Sequence, residues 1–368
     1  MSEASGPPTR TPLRIEPNDN LGELEGYHSP QVDVEVRLNT NESPYAPPAE
    51  WIGDVVAELE RIDFHRYPDR HAVELRSALA ELHGVTIDQV FCANGSNEVL
   101  QTLFLTYGGP GRRAAVFEPT YAMHGQIGHL TSTSVVVGER GADFLLDLTE
   151  VKRVVDAASP SLTFVCSPNN PTGRAEPRPV VDEVLDLVVS RAQGLVVVDE
   201  AYGQFSSWTA LDLVADDRPL VVTRTYSKTW SMAGARLGYL VGPAEVVAAL
   251  QQRVLPYHLD ALKQRAGLAA LRYSSQMEAR VEALVAERER LARALHELPL
   301  ETWPSDANFL LFRPIGRRGD EVWQALVDRS ILVRNCGSWP RLEDCLRVTV
   351  GTPDEDDRFL ATLTEVLA

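Results

Sequence analysis

A lysine, Lys228, follows closely after a short apolar run, Leu220–Thr223, that predicts a buried β-strand. Burial near a domain interior removes water from an amine, lowers its pKa and leaves it free to attack carbonyl groups. Ser227 and Arg236 lie nearby in the chain, and a hydroxyl together with a guanidinium suits a phosphate group. The alternative is an ordinary solvated lysine on a surface loop.

A carboxylate, Asp199, stands at the end of a second apolar run, Leu195–Val198. An ionised carboxylate at the end of a buried strand is unfavourable unless it meets a cation. A protonated pyridine nitrogen is one such cation, and pairing with Asp199 would keep that ring able to accept electrons. The alternative is that Asp199 caps the following helix.

Two further loops carry groups that bind polar atoms of a ligand. Asn170 lies in the segment SPNNPTG (167–173), whose prolines and glycine fix a turn that can present an amide inward. Gly95, Ser96 and Asn97 lie between a predicted strand and a predicted helix, where backbone N–H groups can bind an anion. Alone, each loop could be a plain turn or helix cap. Together the four loops offer partners for the phosphate, phenolic oxygen, ring nitrogen and aldehyde of pyridoxal phosphate.

The elements that must position these loops alternate along the chain. Short apolar runs are separated by helical stretches, which predicts an α/β fold with a mainly parallel sheet covered on both faces. In such folds, ligands bind at the carboxyl ends of the strands. After about Leu259 a long helical stretch and further alternation predict a smaller α+β domain. We therefore expect an N-terminal arm (1–35), a large domain (36–265) whose first residues pack with the small domain, and that small domain (266–368).

Composition narrows the function classes. The 368 residues are 44% hydrophobic and 24% charged, which is typical of a globular protein, and the net charge of −17 argues against a nucleic-acid or anionic-membrane surface. The four cysteines show no metal-type spacing, so we expect no metal site and a reduced, intracellular protein. Neither a membrane-spanning run nor a secretory signal is recognisable, and a cytoplasmic location is the resulting expectation.

Several segments resemble those of fold-type I pyridoxal-phosphate aminotransferases and, within that class, the histidinol-phosphate aminotransferases. The segments are LNTNESP (38–44), HRYPD (65–69), PTY (119–121), SPNNPTG (167–173), VVDEAY (197–202), SK (227–228) with Arg236, LPYHL (255–259), ANFLLF (307–312) and LRVTVGT (346–352). The resemblance implies a large domain with a mainly parallel seven-stranded sheet between helices. It also implies transamination of L-histidinol phosphate with 2-oxoglutarate, giving imidazole acetol phosphate and L-glutamate, in histidine biosynthesis.

The same resemblance implies a role for each matching residue. Lys228 would bond to the cofactor aldehyde and carry the proton, Asp199 would pair with the ring nitrogen, and Tyr121 would stack on the ring. Asn170 and Tyr202 would bind the phenolic oxygen. The cofactor phosphate would be held by Gly95, Ser96, Asn97, Ser227, Arg236 and Tyr67 of the neighbouring subunit, in a homodimer with shared sites.

Substrate contacts are implied in the same way. Arg347 would bind the substrate α-carboxylate, and Arg334 and Tyr27 the substrate phosphate, with Asn41 lining the same pocket. After Arg334 the family often has an acidic residue, whereas this chain has Asn335 and Cys336. This difference weakens the assignment of the substrate. An aromatic aminotransferase and a threonine-phosphate decarboxylase on the same scaffold stay open as alternatives. A non-catalytic relative is disfavoured by the intact lysine, and a nucleotide-binding protein by the lack of its phosphate-loop motifs.

Overall fold

The computed structural model describes residues 32–368, and two sheets organise this part of the chain. The large sheet has seven strands in the order β2-β8-β7-β6-β5-β3-β4, and β8 alone runs antiparallel to its neighbours. Its strands are β2 (Val90–Ala93), β3 (Arg113–Glu118), β4 (Ser134–Glu139), β5 (Leu162–Cys166), β6 (Leu195–Asp199), β7 (Leu220–Thr225) and β8 (Gly238–Val241). This is the fold-type I arrangement predicted above.

Helices cover both faces of the large sheet because its central strands are apolar on both sides. One face is covered by α3 (Ser96–Tyr107), α4 (Met123–Leu130) and α7 (Ala244–Arg253). The other is covered by α5 (Leu148–Ala158) and α6 (Arg178–Arg191). Three further helices, α1 (Ala49–Leu59), α2 (Val73–His83) and α8 (Ala261–Leu271), pack together beside the β2–β8 edge.

The small sheet has five strands in the order β1-β11-β12-β10-β9. They are β1 (Val36–Leu38), β9 (Leu300–Thr302), β10 (Phe309–Pro314), β11 (Ile331–Asn335) and β12 (Leu346–Thr349). The helices α9 (Ser274–His296), α10 (Gly319–Val327) and α11 (Pro353–Leu367) pack against it around a separate apolar core. Strand β1 pairs in parallel with β11, so the first described residues belong to the small sheet.

Two general features of the described residues bear on the earlier expectations. All four cysteines are buried and free. Among residues 32–368, none of the helices has the length and apolar character that a bilayer crossing requires.

Candidate active site

A cavity of about 350 Å³ lies at the carboxyl ends of β5, β6 and β7, which end at Cys166, Asp199 and Thr225. Residues of the small sheet close its other side. Most of the residues predicted from the sequence line it: Asn41, Ser96, Asn97, Tyr121, Asn170, Asp199, Tyr202, Ser227, Lys228, Arg236, Arg334 and Arg347. The structure therefore brings the four predicted loops and the predicted substrate arginines to one place.

The amine of Lys228 is held by the chain segment that follows β1. Its Nζ donates a hydrogen bond to the backbone oxygen of Thr40 at 3.0 Å. Burial, reinforced by the positive charge of Arg347, lowers the pKa of Lys228 to about 7, although Glu42 acts in the opposite direction. Near neutral pH a large fraction of this amine is therefore unprotonated, as a nucleophile or base requires.

Asp199 is buried, and three donors fix the orientation of its carboxylate. Oδ1 accepts hydrogen bonds from Thr223 Oγ1 at 3.1 Å and from the backbone N–H of Ala201 at 3.2 Å. Oδ2 lies 2.9 Å from Nε2 of His124. A carboxylate held in this way can face a cationic group in the cavity without rotating.

His124 is a site residue that the sequence analysis did not identify. Its ring is fully buried, stacks on Phe164 with the ring centroids 4.8 Å apart, and meets the edge of Tyr121. Within residues 32–368 its Nδ1 atom has no hydrogen-bond partner. In the sequence, only its position three residues after Tyr121 could have indicated a role for His124. The helix α4, near whose start it lies, was also not predicted.

An anion site is formed where α3 begins. The twelve-residue helix starts at Ser96 after Gly95, whose φ of +85° is one that residues with a side chain rarely adopt. A Cβ atom on Gly95 would lie 2.9 Å from Nη2 of Arg236, so the guanidinium lies directly against this glycine. Arg236 Nη1 is also 3.4 Å from Ser227 Oγ, which accepts a hydrogen bond from Thr225 Oγ1. Backbone N–H groups at the start of α3, hydroxyls and a guanidinium lie close together here.

Tyr202 and Asn170 also line the cavity, and each is hydrogen-bonded to a residue in or just after a strand of the small sheet. The hydroxyl of Tyr202 accepts a hydrogen bond from Asn41 Nδ2 at 2.9 Å, and burial raises the pKa of Tyr202 to about 12. Oδ1 of Asn170 accepts a hydrogen bond from Nη1 of Arg347. The two groups are thus neutral hydrogen-bonding partners placed inside the cavity.

Two arginines enter the cavity from adjacent strands of the small sheet. Arg334 on β11 and Arg347 on β12 are directly opposite in the antiparallel ladder. Arg347 is buried, donates to the backbone oxygen of Asn39 at 2.9 Å, and lies over the Phe309 ring. Two guanidinium groups facing one cavity favour anionic ligands.

Two of the predicted residues that the structure describes, Gly95 and Tyr67, are not part of the cavity lining. Gly95 lies directly behind Arg236. Tyr67 is 79% exposed and stacks on Tyr257, with ring centroids 4.4 Å apart. Tyr27 lies outside the described residues.

Tyr121, within the lining, donates a hydrogen bond from its hydroxyl to Asn97 Oδ1 at 3.1 Å.

Comparison with known proteins identifies relatives over nearly the whole chain. Residues 33–363 match the model of the family "Aminotransferase class I and II". The histidinol-phosphate aminotransferase of Frankia casuarinae is 44% identical over 97% of this chain and 90% of its own. That of Streptomyces avermitilis is 45% identical, covering 95% of each chain.

A solved structure supports the fold independently. The crystal structure of histidinol-phosphate aminotransferase from Sinorhizobium meliloti in complex with pyridoxal-5'-phosphate superposes with a TM-score of 0.83. It covers 95% of this chain and 96% of the other at 21% identity, a level that speaks for the fold alone. The extent of the family match and the identity to the two relatives lead to one conclusion: the chain belongs to the class I and II aminotransferase family.

Proposed function

We propose that this chain is a pyridoxal-phosphate-dependent aminotransferase that takes the amino group of L-histidinol phosphate and transfers it to 2-oxoglutarate, in histidine biosynthesis. The observation that carries the proposal is the meeting of Lys228, Asp199 and two arginines around one cavity. The names of relatives more than 40% identical over most of the chain support the choice of substrate.

The residues around the cavity fit the cofactor. The absence of a side chain at Gly95 lets the Arg236 guanidinium lie against the start of α3, where both could bind the cofactor phosphate. Asp199 would pair with the ring nitrogen, Tyr121 would cover the ring, and Asn170 and Tyr202 would face the phenolic oxygen. When bound, the cofactor supplies an electron sink for the charge left at the substrate Cα when its proton is removed.

Lys228 would move that proton. Because the pKa of Lys228 is lowered, its Nζ could accept the proton from the substrate Cα near neutral pH. The same amine would then donate that proton to the cofactor carbon that bore the aldehyde. The Thr40 backbone oxygen gives the amine a fixed hydrogen-bond acceptor at the cavity wall. Arg347 would orient the α-carboxylate of glutamate or 2-oxoglutarate, and Arg334 the phosphate of histidinol phosphate, with Asn41 beside them. Tyr27 is proposed to join Arg334 at that phosphate.

The test is a transamination assay of the purified protein. We expect turnover with histidinol phosphate and 2-oxoglutarate to exceed turnover with phenylalanine or threonine phosphate by more than tenfold in kcat/KM. A preference for phenylalanine would favour an aromatic aminotransferase, and release of CO2 from threonine phosphate would favour the decarboxylase. Either result would overturn the substrate assignment and leave the family assignment intact.

The lysine can be tested separately because the chain has only three: Lys152, Lys228 and Lys263. Borohydride reduction of the protein with bound cofactor, followed by peptide mass mapping, should place the added mass on Lys228. Lys228→Ala should lose turnover and the visible absorption band of the bound cofactor, whereas Lys152→Ala should keep both. Attachment at either of the other lysines would contradict the proposed role.

We further propose a homodimer with shared sites, in which Tyr67 reaches the partner's cofactor phosphate. Its support is a surface where apolar side chains are unusually exposed: Phe64 at 75%, Leu255 at 79% and the stacked pair of Tyr67 and Tyr257. Large exposed apolar side chains of this kind favour a protein interface. Leu255→Glu should shift the molar mass measured by light scattering from dimer to monomer, and an unchanged mass would argue against this surface.

We also propose a domain division, an N-terminal arm and a cellular location. We place the domain division near residue 265, with an N-terminal arm over 1–35, and the protein in the cytoplasm. The separate apolar core of the small sheet supports two domains, although residue 265 itself lies within α8, whose Ala266 and Ala270 pack in the core beside the large sheet. The pairing of β1 with β11 supports packing of the first large-domain residues on the small domain. Limited proteolysis that releases a stable fragment beginning near residue 266 would support the boundary, and cleavage confined to other sites would contradict it.

A further inference from the structure

The two cavity arginines are close neighbours of like charge. Arg334 and Arg347 face each other across β11 and β12, and both line the cavity. Like charges directly opposite in an antiparallel ladder repel each other. A bound anion relieves that repulsion, but the protein must hold both guanidinium groups in place before the anion arrives.

Each arginine lies over its own aromatic ring. The Arg347 guanidinium carbon is 5.0 Å from the centroid of Phe309, and that of Arg334 is 5.8 Å from the centroid of Trp339. These separations are within the range of cation–π attraction. Trp339 itself lines the cavity and packs against an apolar cluster that includes Cys336 and Leu342, so its position is fixed from behind.

Arg334 also borders a second cavity, of about 520 Å³, so its guanidinium has an alternative to the active-site cavity. Arg334 lines this cavity too, together with three carboxylates, those of Asp320, Glu343 and Asp344. Carboxylates attract a guanidinium, so these groups favour a position of Arg334 turned toward the second cavity, although Asp320 also pairs with Arg318 and Asp344 accepts a hydrogen bond from the Gly319 backbone N–H. The indole face of Trp339 opposes that displacement.

We propose that Trp339 is a positioning residue that sets the specificity for a phosphate-bearing amino donor, because its ring holds the Arg334 guanidinium in the active-site cavity. The inference rests on the proposed function for the identity of the donor. Trp339 acts through Arg334 and affects the step in which the donor phosphate binds. It has no part in binding glutamate or 2-oxoglutarate, whose α-carboxylate meets Arg347.

The first experiment compares half-reactions of the holoenzyme with histidinol phosphate and with glutamate. In Trp339→Leu, which keeps apolar bulk but removes the π face, we expect KM for histidinol phosphate to rise about tenfold, the size of one partly desolvated cation–π contact. We expect kcat, and both constants for glutamate, to stay within about twofold. Trp339→Phe, which keeps a π face, should restore most of the affinity for histidinol phosphate.

A matched control is provided by Trp303. It packs against the same apolar cluster and lies over a guanidinium, that of Arg313, at 5.5 Å, but Arg313 pairs with Glu301 and is not part of the cavity lining. Trp303→Leu should therefore leave both half-reactions unchanged. When Arg334 is already replaced by Ala, Trp339→Leu should cause no further rise in KM for histidinol phosphate, because the effect of Trp339 passes through Arg334.

Inorganic phosphate gives a readout that does not depend on the identity of the donor. Its affinity for the holoenzyme, measured by calorimetric titration, should fall about tenfold in Trp339→Leu. Equal losses with glutamate and histidinol phosphate, failure of Trp339→Phe to rescue, or additivity with Arg334→Ala would each overturn the inference. Suppose the wild-type enzyme does not turn over histidinol phosphate, and Trp339→Leu still weakens the binding of inorganic phosphate. That result would refute the proposed donor and leave the role of Trp339 intact.

Discussion

The lowered pKa of Lys228 should be measurable as a pH-dependent change in stability of the cofactor-free protein. The amine titrates near pH 7 in the folded chain and near 10.5 when unfolded. Between these values the unfolded chain binds more protons, so the free energy of unfolding rises with pH. Below pH 7 the amine is protonated in both states, and the full unfavourable free energy of holding the charge in the cavity is present.

The size of the effect follows from the two pKa values. Integration of the proton difference gives an increase of about 1 kcal/mol between pH 7 and pH 8, and about 2 kcal/mol between pH 7 and pH 9. In Lys228→Met, which has no amine to titrate, this contribution disappears. The difference between the wild-type and variant free energies of unfolding should therefore change by these amounts over that range.

The assay is urea unfolding of cofactor-free protein at pH 7, 8 and 9 and at one protein concentration. Lys152→Met is the matched control, since Lys152 lies on the exposed face of α5 beside Asp156, outside the cavity. Taking differences removes the contribution of every other titrating group. If the Lys228 and Lys152 variants give the same pH profile, the reasoning from burial and the neighbouring Arg347 is refuted.

Two more substitutions test other parts of the structure. Gly95→Ala should weaken cofactor binding roughly tenfold or more, because φ is positive there and the new Cβ displaces Arg236, as equilibrium titration with pyridoxal phosphate would show. Gly53→Ala, in open space on α1, should leave cofactor binding unchanged, and equal weakening in both would contradict this account. Burial beside Glu287 raises the pKa of Asp356. Between pH 5 and 8 the folded protein therefore keeps a proton on Asp356 that the unfolded chain releases, and the free energy of unfolding falls as pH rises. Urea unfolding should show a smaller fall in Asp356→Asn, and an identical fall would contradict that pKa direction.

Much of the fold could be predicted because the central strands are buried on both faces. The predicted strands Leu195–Val198 and Leu220–Thr223 are confirmed as β6 (Leu195–Asp199) and β7 (Leu220–Thr225), which extend one and two residues further, since each is a short apolar run. Helix α4 was missed because its sequence, MHGQIGHL, contains two glycines and shows little apolar periodicity. Strands β1 and β9 have three residues each, too few for a pattern to be recognised.

The candidate site was predictable where function depends on side chains that follow strands. Asp199 ends β6 and Lys228 comes three residues after the end of β7; the two strands are parallel neighbours, so the sheet had to bring both residues to one edge. Thr40 could not be found in this way, because its contribution is a backbone oxygen. His124 and Trp339 contact the site residues Asp199 and Arg334, and nothing in the spacing of the chain indicates these contacts. The roles of the predicted site residues stay predictions.

The short connection between β1 and the cavity wall ties the two sheets together mechanically. Leu38 is hydrogen-bonded into the small sheet, and Thr40, two residues later, holds the amine of Lys228 on the large one. A segment this short can absorb only a few ångströms of relative displacement. Any rotation of the small sheet, such as one that follows an anion drawn in by its arginines, must therefore pull on the lysine's hydrogen bond. A rotation of this kind would reach the amine through a single stretch of backbone.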